Sequence, residues 1–299
     1  MNGRVCVIFY HRVNELLFDQ HSLCVSPVNF EQHMRYLKKN YNILRFEEEW
    51  QNTDGDSVVV TFDDGYLDNY ENAIPILNEL EIPATVFVSS SCLRGDREFW
   101  WDELETILLL ENIPEVFCLE DREYGCRWRT KSLGERINCY RAIRWMIMNL
   151  TNYEKRYAWM NQLWEWSGYS RHIRKQNQTI TDALCKEMSE MKNISIGSHS
   201  VSHPALGNLG WEDQMWELKE SKKHLEELTG KKVETLSYPL GSYNEDTERI
   251  CREIGIRKAA TTVRKLWEPH ESLYEIPRFC IQDWNIWQFK TELEKTFQM

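Results

Sequence analysis

The chain contains 299 residues, of which 42% are hydrophobic and 28% charged, a composition typical of a globular protein with a buried core. Its formal net charge of −11 repels phosphate backbones and argues against nucleic acid as a partner. The same charge disfavours anionic membranes, and the apolar runs are far too short to span a bilayer, so we expect no stable membrane insertion.

The N-terminal part of the chain alternates short apolar strands with amphipathic helices. We predict strands over residues 5–10, 58–62 and 85–89, and helices over residues 29–39 and 66–80. The strand at 58–62 is rich in β-branched residues and ends at Asp63-Asp64-Gly65. This alternation is typical of a parallel α/β sheet or barrel.

The middle of the chain, residues 94–192, departs from this rhythm. Its pattern is mostly helical, and it separates two predicted strands that a compact βα unit would join more briefly. We therefore expect one barrel domain over residues 1–299 with a helical insertion at 94–192. Seven of the thirteen tryptophans lie there and either pack a helical subdomain or, for one or two of them, stack on the rings of a ligand: Trp100, Trp101, Trp128, Trp145, Trp159, Trp164 and Trp166.

The C-terminal part returns to the alternating pattern. It predicts strands over residues 195–198, 235–238, 258–262 and 274–281, and helices over residues 211–228 and 244–254. Gly230 stands where a helix C-terminus favours glycine. The whole chain therefore contains about seven βα units.

Two adjacent carboxylates, Asp63 and Asp64, follow the apolar strand at 58–62. Like charges this close repel each other at the edge of a low-dielectric core, so the pair indicates a bound cation or a carboxylate with a chemical role. Active sites of barrels also form at the C-terminal ends of the strands. The alternative is that one aspartate only caps the next helix.

A second motif places His199 and His203 four positions apart, directly after a short predicted strand. Both imidazoles can reach one ion if the segment makes a helical turn, whereas two unrelated surface histidines are the alternative. With one carboxylate they would form a His-His-Asp site with an open coordination position, as in catalytic zinc centres. We expect a divalent metal, with zinc first and cobalt, nickel or iron as substitutes.

These motifs resemble the polysaccharide deacetylase family, the chitooligosaccharide-deacetylase-like carbohydrate esterases. Residues 61–65 match its TFDDG motif, residues 198–204 resemble its H(S/T)xxHP motif, and residues 237–241 fall where the family has an Arg-x-Pro-Tyr-Gly turn. The resemblance covers roughly residues 4–93 and 193–285. It implies an α/β fold, a distorted (β/α) barrel with about seven parallel strands.

The resemblance also implies roles for individual residues. Asp63 would be the general base, and Asp64, His199 and His203 would be the metal ligands. The backbone N–H of Leu240 would help to hold the oxyanion, although a plain Pro-Gly turn is the simpler interpretation of this segment.

The chain departs from the family pattern in three places. Ser237 stands where the family has an arginine that orients the base, Leu240 replaces a tyrosine, and no LxH motif near the C-terminus supplies an acid. Members resembling biofilm-polysaccharide deacetylases share these departures and have a histidine in a Tyr-His context, so His11 is the candidate acid. Arg278 is the candidate replacement for the arginine. A packing role for His11 and an ordinary surface position for Arg278 are the alternatives.

The predicted function is metal-dependent removal of N-acetyl groups from an amino sugar or glycan, with an N-acetylated carbohydrate as partner. Two alternatives stay open: a deformylase or amidase acting on a non-sugar substrate, and a catalytically dead sugar-binding or assembly protein. Nine cysteines without a CxxC pair and the lack of a visible export signal favour a cytoplasmic protein in surface-polysaccharide biosynthesis.

Overall fold

The computed structural model describes residues 4–17, 19–51, 53, 55–109, 112–121, 125–150 and 153–298. The chain divides into two compact units. The first, here called the barrel unit, comprises Met1–Gly95 and Gln178–Met299, and the second, the helical unit, comprises Asp96–Asn177. Within the described ranges, no helix combines the length and the hydrophobicity that a membrane crossing requires.

Twelve strands occur among the described residues. They are β1 (Val5–Tyr10), β2 (Arg12–Val13), β3 (Cys24–Val25), β4 (Asn42–Leu44), β5 (Ser57–Phe62), β6 (Ala84–Val88), β7 (Val116–Glu120), β8 (Gly125–Arg129), β9 (Ile194–Ser198), β10 (Thr235–Ser237), β11 (Lys258–Ala260) and β12 (Phe279–Cys280).

Eight of these strands form one parallel sheet in the barrel unit, in the order β11-β10-β9-β6-β5-β1-β12, with β4 paired to β5. One segment joins the two edges of this sheet. Ile276 forms a parallel bridge with Ala260, whereas β12 pairs with β1. The sheet therefore curls into a barrel, which confirms the predicted distorted (β/α) barrel of about seven strands.

The register of β1 and β5 determines where the motif residues emerge. All six residues of each strand are buried, as expected for parallel strands covered on both faces. Val5 pairs with Ser57 and Tyr10 pairs with Phe62. The residues that follow the two strands, His11 and Asp63, therefore leave the sheet at the same level.

Nine α-helices occur among the described residues. They are α1 (Pro27–Asn40), α2 (Ile74–Glu79), α3 (Trp100–Leu109), α4 (Leu133–Met148), α5 (Tyr153–Ser167), α6 (Asp182–Glu190), α7 (Trp211–Thr229), α8 (Glu245–Glu253) and α9 (Ile286–Gln298).

Two predicted elements differ from the structure for local reasons. The helix expected over residues 66–80 begins with a π-helical turn, Asn69–Ala73, because Tyr66 is still in an extended bridge with Thr179. The strand expected over residues 274–281 is regular only at β12, since Pro277 has no N–H to donate to a ladder. As predicted, α7 ends at Gly230, which adopts a left-handed φ of 67°.

The helical unit contains α3, α4 and α5 together with an antiparallel hairpin of β7 and β8 that the helical sequence pattern did not predict. Trp159 and Trp164 lie in its core, and several other tryptophans pack against that core, whereas Trp145 is 68% exposed. Packing thus accounts for most of these tryptophans. The helical unit, Asp96–Asn177, covers fewer residues than the insertion expected at 94–192, because α6 belongs to the barrel unit.

Candidate active site

The C-terminal ends of three barrel strands carry predicted site residues, and a fourth strand ends beside them. His11 follows β1, Asp63 and Asp64 follow β5, and His199 follows β9, while β10 ends at Ser237. Parallel strands present their C-terminal ends at one edge of the sheet, so these side chains meet at one end of the barrel. The active-site location expected from sequence is therefore a direct consequence of strand direction.

Asp64, His199 and His203 form a compact buried group. Their ligand atoms all lie within 4.8 Å of one another. The Nε2 atoms of His199 and His203 lie 3.5 Å and 3.4 Å from Asp64 Oδ1. Two ligands that share one tetrahedral zinc ion are expected about 3.4 Å apart, from metal–ligand bonds of about 2.0–2.1 Å. The spacing of the three ligands therefore fits one small divalent cation.

The hydrogen bonds around this group leave the ligand atoms available. His199 Nδ1 donates to the backbone oxygen of Ser237 at 2.8 Å, which fixes the tautomer with its Nε2 lone pair directed towards Asp64. Asp64 Oδ1 is buried and accepts no hydrogen bond from the described residues. An orphaned carboxylate oxygen between two imidazole nitrogens is the donor set that a zinc-type ion requires.

Backbone strain is concentrated at this end of the barrel. Seven described non-glycine residues have a positive φ, and four of them belong to the predicted site or to its loops: Asp64 (74°), Ser200 (62°), His203 (56°) and Leu240 (59°). Left-handed conformations cost such residues free energy and are characteristic of functional sites.

Asp63 forms a two-pronged ion pair with Arg278. Arg278 Nη1 and Nη2 each lie 2.7 Å from one carboxylate oxygen of Asp63, and the arginine side chain is fully buried. All five N–H donors of Arg278 are used, since it also donates to Thr261 O, Thr61 Oγ1 and Ser237 Oγ. Arg278 is thus a buried partner of the predicted base and not a surface residue.

Opposing influences act on the pKa of Asp63. Burial raises this pKa, but the positive charges of Arg278 and His199 outweigh burial and hold it well below that of an ordinary aspartate. For His199, burial lowers the pKa, whereas the carboxylates of Asp63 and Asp64 raise it, with a net rise. The two carboxylates therefore favour positive charge at this end of the barrel.

His11 lies beside the two aspartates. Its ring packs edge-on against Phe9 with 5.3 Å between centroids, and its backbone oxygen accepts a hydrogen bond from Asn69. Loss of hydration lowers the pKa of His11, and the charges of Asp64 and Asp63 oppose this only in part. The role of His11 as an acid stays a prediction.

Leu240 occupies a turn after β10. Its side chain is 40% exposed, and the turn Pro239–Gly241 is closed by Gly241 N donating to Tyr238 O. A Cβ at Gly241 would lie 2.2 Å from Thr262 Oγ1, so the turn requires glycine there. The turn is well defined, and the role of the Leu240 N–H towards an oxyanion stays a prediction.

Sequence reasoning missed the contribution of Ser237. Its hydroxyl donates to Asp63 Oδ2 at 3.2 Å and accepts from Arg278, while its backbone oxygen orients His199. The signal was present as the serine in the position of the motif arginine. A small residue there leaves the space that the Arg278 guanidinium occupies.

Comparison with known proteins gives a family profile and several relatives. The profile described as "Polysaccharide deacetylase" matches residues 51–108 and 156–259, more than half of the chain. YxkH of Bacillus subtilis (strain 168), provisionally described as a polysaccharide deacetylase, is 23% identical over 283 residues, which cover 92% of this chain and 71% of that protein.

Solved structures share the fold over nearly the full length. The deacetylase PplD of Streptococcus pyogenes, solved in complex with acetate, gives a TM-score of 0.64 at 18% identity and covers 99% of both chains. IcaB from Ammonifex degensii gives a TM-score of 0.60 at 19% identity, over 94% of this chain and 92% of that chain. At these identities the similarity is one of fold.

Proposed function

Since the chain belongs to the polysaccharide deacetylase family, we propose that it removes N-acetyl groups from an amino sugar or glycan in a reaction that depends on a divalent metal. The general class of reaction, hydrolytic deacetylation of a carbohydrate, follows from the family. The observation that supports metal dependence is the buried group of Asp64, His199 and His203 with its orphaned carboxylate oxygen.

Asp64, His199 and His203 would hold the ion, with zinc as the best fit to two nitrogens and one oxygen. Such an ion supplies Lewis-acid chemistry, in that it makes water more acidic and polarises a carbonyl group. The three side chains are preorganised for this, because Ser237 fixes the tautomer of His199 and burial excludes competing water.

Asp63 is the proposed general base that takes a proton from the attacking water. Arg278 keeps the carboxylate ionised and holds both of its oxygens in one orientation. Arg278 would thereby take over from the family's motif arginine the role of orienting the base. Arg278 lies in the segment that closes the barrel, whereas the motif arginine would stand at the position of Ser237. The motif departure is compensated, which weighs against a catalytically dead protein.

His11 is the proposed acid for the leaving amine, which departs only when it is protonated. The lowered pKa of His11 makes its protonated ring a stronger acid towards the amine. His11 would donate its proton to the nitrogen as the C–N bond breaks, while Asp63 holds the proton taken from the water. The Leu240 N–H would donate to the oxyanion of the tetrahedral intermediate.

The compartment is inferred from the cysteines. None of the nine forms a disulfide, and five are buried deeply enough for their thiol pKa to rise to about 12. This many cysteines without a disulfide are typical of a reducing compartment. We infer a cytoplasmic substrate, such as a nucleotide-linked or lipid-linked N-acetyl sugar used in surface-polysaccharide biosynthesis.

The test is acetate release from a panel of N-acetylated monosaccharides, oligosaccharides and nucleotide sugars, with and without added zinc or cobalt. Asp63→Asn should lower turnover by about 10²–10⁴-fold, the usual contribution of a general base, while the metal stays bound. Asp213→Asn, which changes an exposed carboxylate on α7, is the matched control and should retain wild-type turnover.

The same panel separates the alternatives. It includes N-formyl amines and simple amides, and a preference for these would replace the deacetylase proposal with a deformylase or amidase. Full activity in Asp63→Asn would remove the base assignment. Activity that stays unchanged when divalent metal is chelated would contradict the proposed metal dependence.

A further inference from the structure

The loop that carries the two histidines is held from one side by a buried carboxylate on α7. We propose that Glu217 is a positioning residue that holds loop 198–203 in its strained conformation, so that the affinity of the site for a divalent ion depends on Glu217. This inference rests on the proposed metal site and adds a determinant that lies outside the ligand set.

The contacts of Glu217 converge on two of the three residues between the ligands, Val201 and Ser202. Its Oε2 accepts hydrogen bonds from Val201 N at 2.9 Å and Ser202 N at 2.8 Å, and its Oε1 accepts from Ser202 Oγ. Glu217 is only 3% exposed. Because this one buried side chain accepts from two successive N–H groups, it fixes two consecutive peptide units.

The loop needs such a partner because its backbone is strained. Ser200 and His203 have φ values of 62° and 56°, and they flank the two peptide groups that Glu217 binds. A strained conformation persists only when the surrounding structure holds it. On the other side, Ser90 N and Ser91 N donate to the backbone oxygens of Ser200 and Val201.

The consequence concerns His203 more than His199. His199 directly follows β9, and its backbone N–H donates to Val88 O, so the sheet positions it. His203 lies beyond the strand, and its backbone N–H donates to Ser200 Oγ at 3.0 Å across the two residues that Glu217 binds. Loss of the carboxylate leaves buried N–H groups unsatisfied, and the loop is expected to relax and to carry His203 away from Asp64.

The experiment measures the affinity of the full chain for Co²⁺, by the visible absorption of the bound ion and by calorimetry. Glu217→Leu should weaken Co²⁺ binding by about 10–100-fold, the typical effect of removing a group that orients a ligand. Glu217→Gln should lie between Glu217→Leu and the wild type, because its amide oxygen still accepts hydrogen bonds, and it also serves if the leucine variant does not fold.

Gln214→Leu is the matched control, since Gln214 is equally buried on α7 but donates to Leu209 O and accepts from Thr247. It should lower the melting temperature and leave the Co²⁺ affinity unchanged. Glu217 variants that bind Co²⁺ within about twofold of wild type, or a Gln214→Leu variant that weakens binding equally, would overturn the positioning role. A wild-type protein that binds no Co²⁺ would overturn the metal site itself, an outcome distinguishable from the other two.

Discussion

At the scale of single residues, the pair of Asp63 and Arg278 is the feature that the chemistry depends on most. Asp63 lies where burial alone would raise its pKa and protonate it, which would disable it as a base. The guanidinium reverses this, and its own charge is paired with that carboxylate, while three neutral oxygens accept its remaining N–H groups. Each member of the pair therefore needs the other in order to be buried.

Replacement of Arg278 should appear in the pH profile. In Arg278→Gln the lowering effect of the charge disappears while the raising effect of burial stays, so the pKa of Asp63 rises. The acid-side fall in kcat/KM should then begin at a higher pH than in the wild type, and the maximum should drop by about 10²-fold or more. Measuring kcat/KM against pH checks both effects.

Arg278→Lys provides the comparison within this experiment. It keeps the positive charge but loses the fork, so its acid limb should lie between those of the wild type and Arg278→Gln. An acid limb that stays at the wild-type pH in Arg278→Gln would show that the arginine does not govern ionisation of Asp63.

At the scale of elements, the packing of strand β9 determines where the proposed metal ligand His199 lies. Gly197 lies on this strand two residues before His199, and a Cβ there would lie 2.4 Å from Phe87 and 2.8 Å from Thr235 Oγ1. Real side-chain contacts are never that short, so the strand can approach β6 and β10 only because residue 197 is glycine. The close approach also brings Ser237 O within reach of His199.

Gly197→Ala should therefore damage both stability and the site. Overpacking of a barrel interior costs about 1–3 kcal/mol, and displacement of β9 should weaken Co²⁺ binding as well. Urea unfolding and Co²⁺ titration measure the two effects. Gly134→Ala, on α4 with nothing within 4 Å of its Cβ position, should leave the Co²⁺ affinity unchanged and should not lower stability, because alanine favours a helix more than glycine does. Normal Co²⁺ affinity in Gly197→Ala would show that the ligands tolerate movement of the strand.

At the scale of the whole molecule, the two ends of the chain are joined through His33 on α1. Its Nδ1 accepts from the Tyr10 hydroxyl at 3.2 Å, and its Nε2 donates to Trp284 O at 2.7 Å. The ring also stacks on Phe289 of α9 with 3.9 Å between centroids. Burial lowers the pKa of His33 to about 4, so the native protein holds this ring neutral.

The low pKa of His33 predicts acid sensitivity. Between about pH 6.5 and pH 4 the unfolded chain binds a proton at His33 that the native state does not, so the free energy of unfolding falls as the pH falls through this range. The full effect on the free energy of unfolding is about 3 kcal/mol, because the pKa of His33 is about 4 in the folded protein and 6.5 in its ordinary state. His33→Gln should flatten this part of the curve when urea unfolding is followed from about pH 7 to about pH 4.5.

The control is His270→Gln, since the His270 side chain is 78% exposed and a surface substitution there should leave the curve unchanged. If His33→Gln lost stability on acidification as steeply as the wild type, other groups would be responsible for the acid sensitivity.

The class of fold and the types of residue in the site can be predicted from the sequence alone. Alternating strands and helices predict a parallel α/β sheet or barrel, and the motifs at 61–65 and 198–204 lie at the C-terminal ends of two strands that share one edge. These are local or periodic features, and local patterns can be read along a chain. The hairpin of β7 and β8 was not predicted, since its strands are only half-buried and lie in a stretch whose pattern is mostly helical.

The pairing of side chains in the site depends on the tertiary structure and cannot be predicted from the sequence. Arg278 meets Asp63 across 215 positions in sequence, and it does so because the barrel closes through the segment that contains it. Glu217 reaches the histidine loop only because α7 packs beside β9. Such pairings depend on register, barrel closure and burial, which are properties of the folded chain, and a sequence motif specifies the donor or acceptor but not its partner.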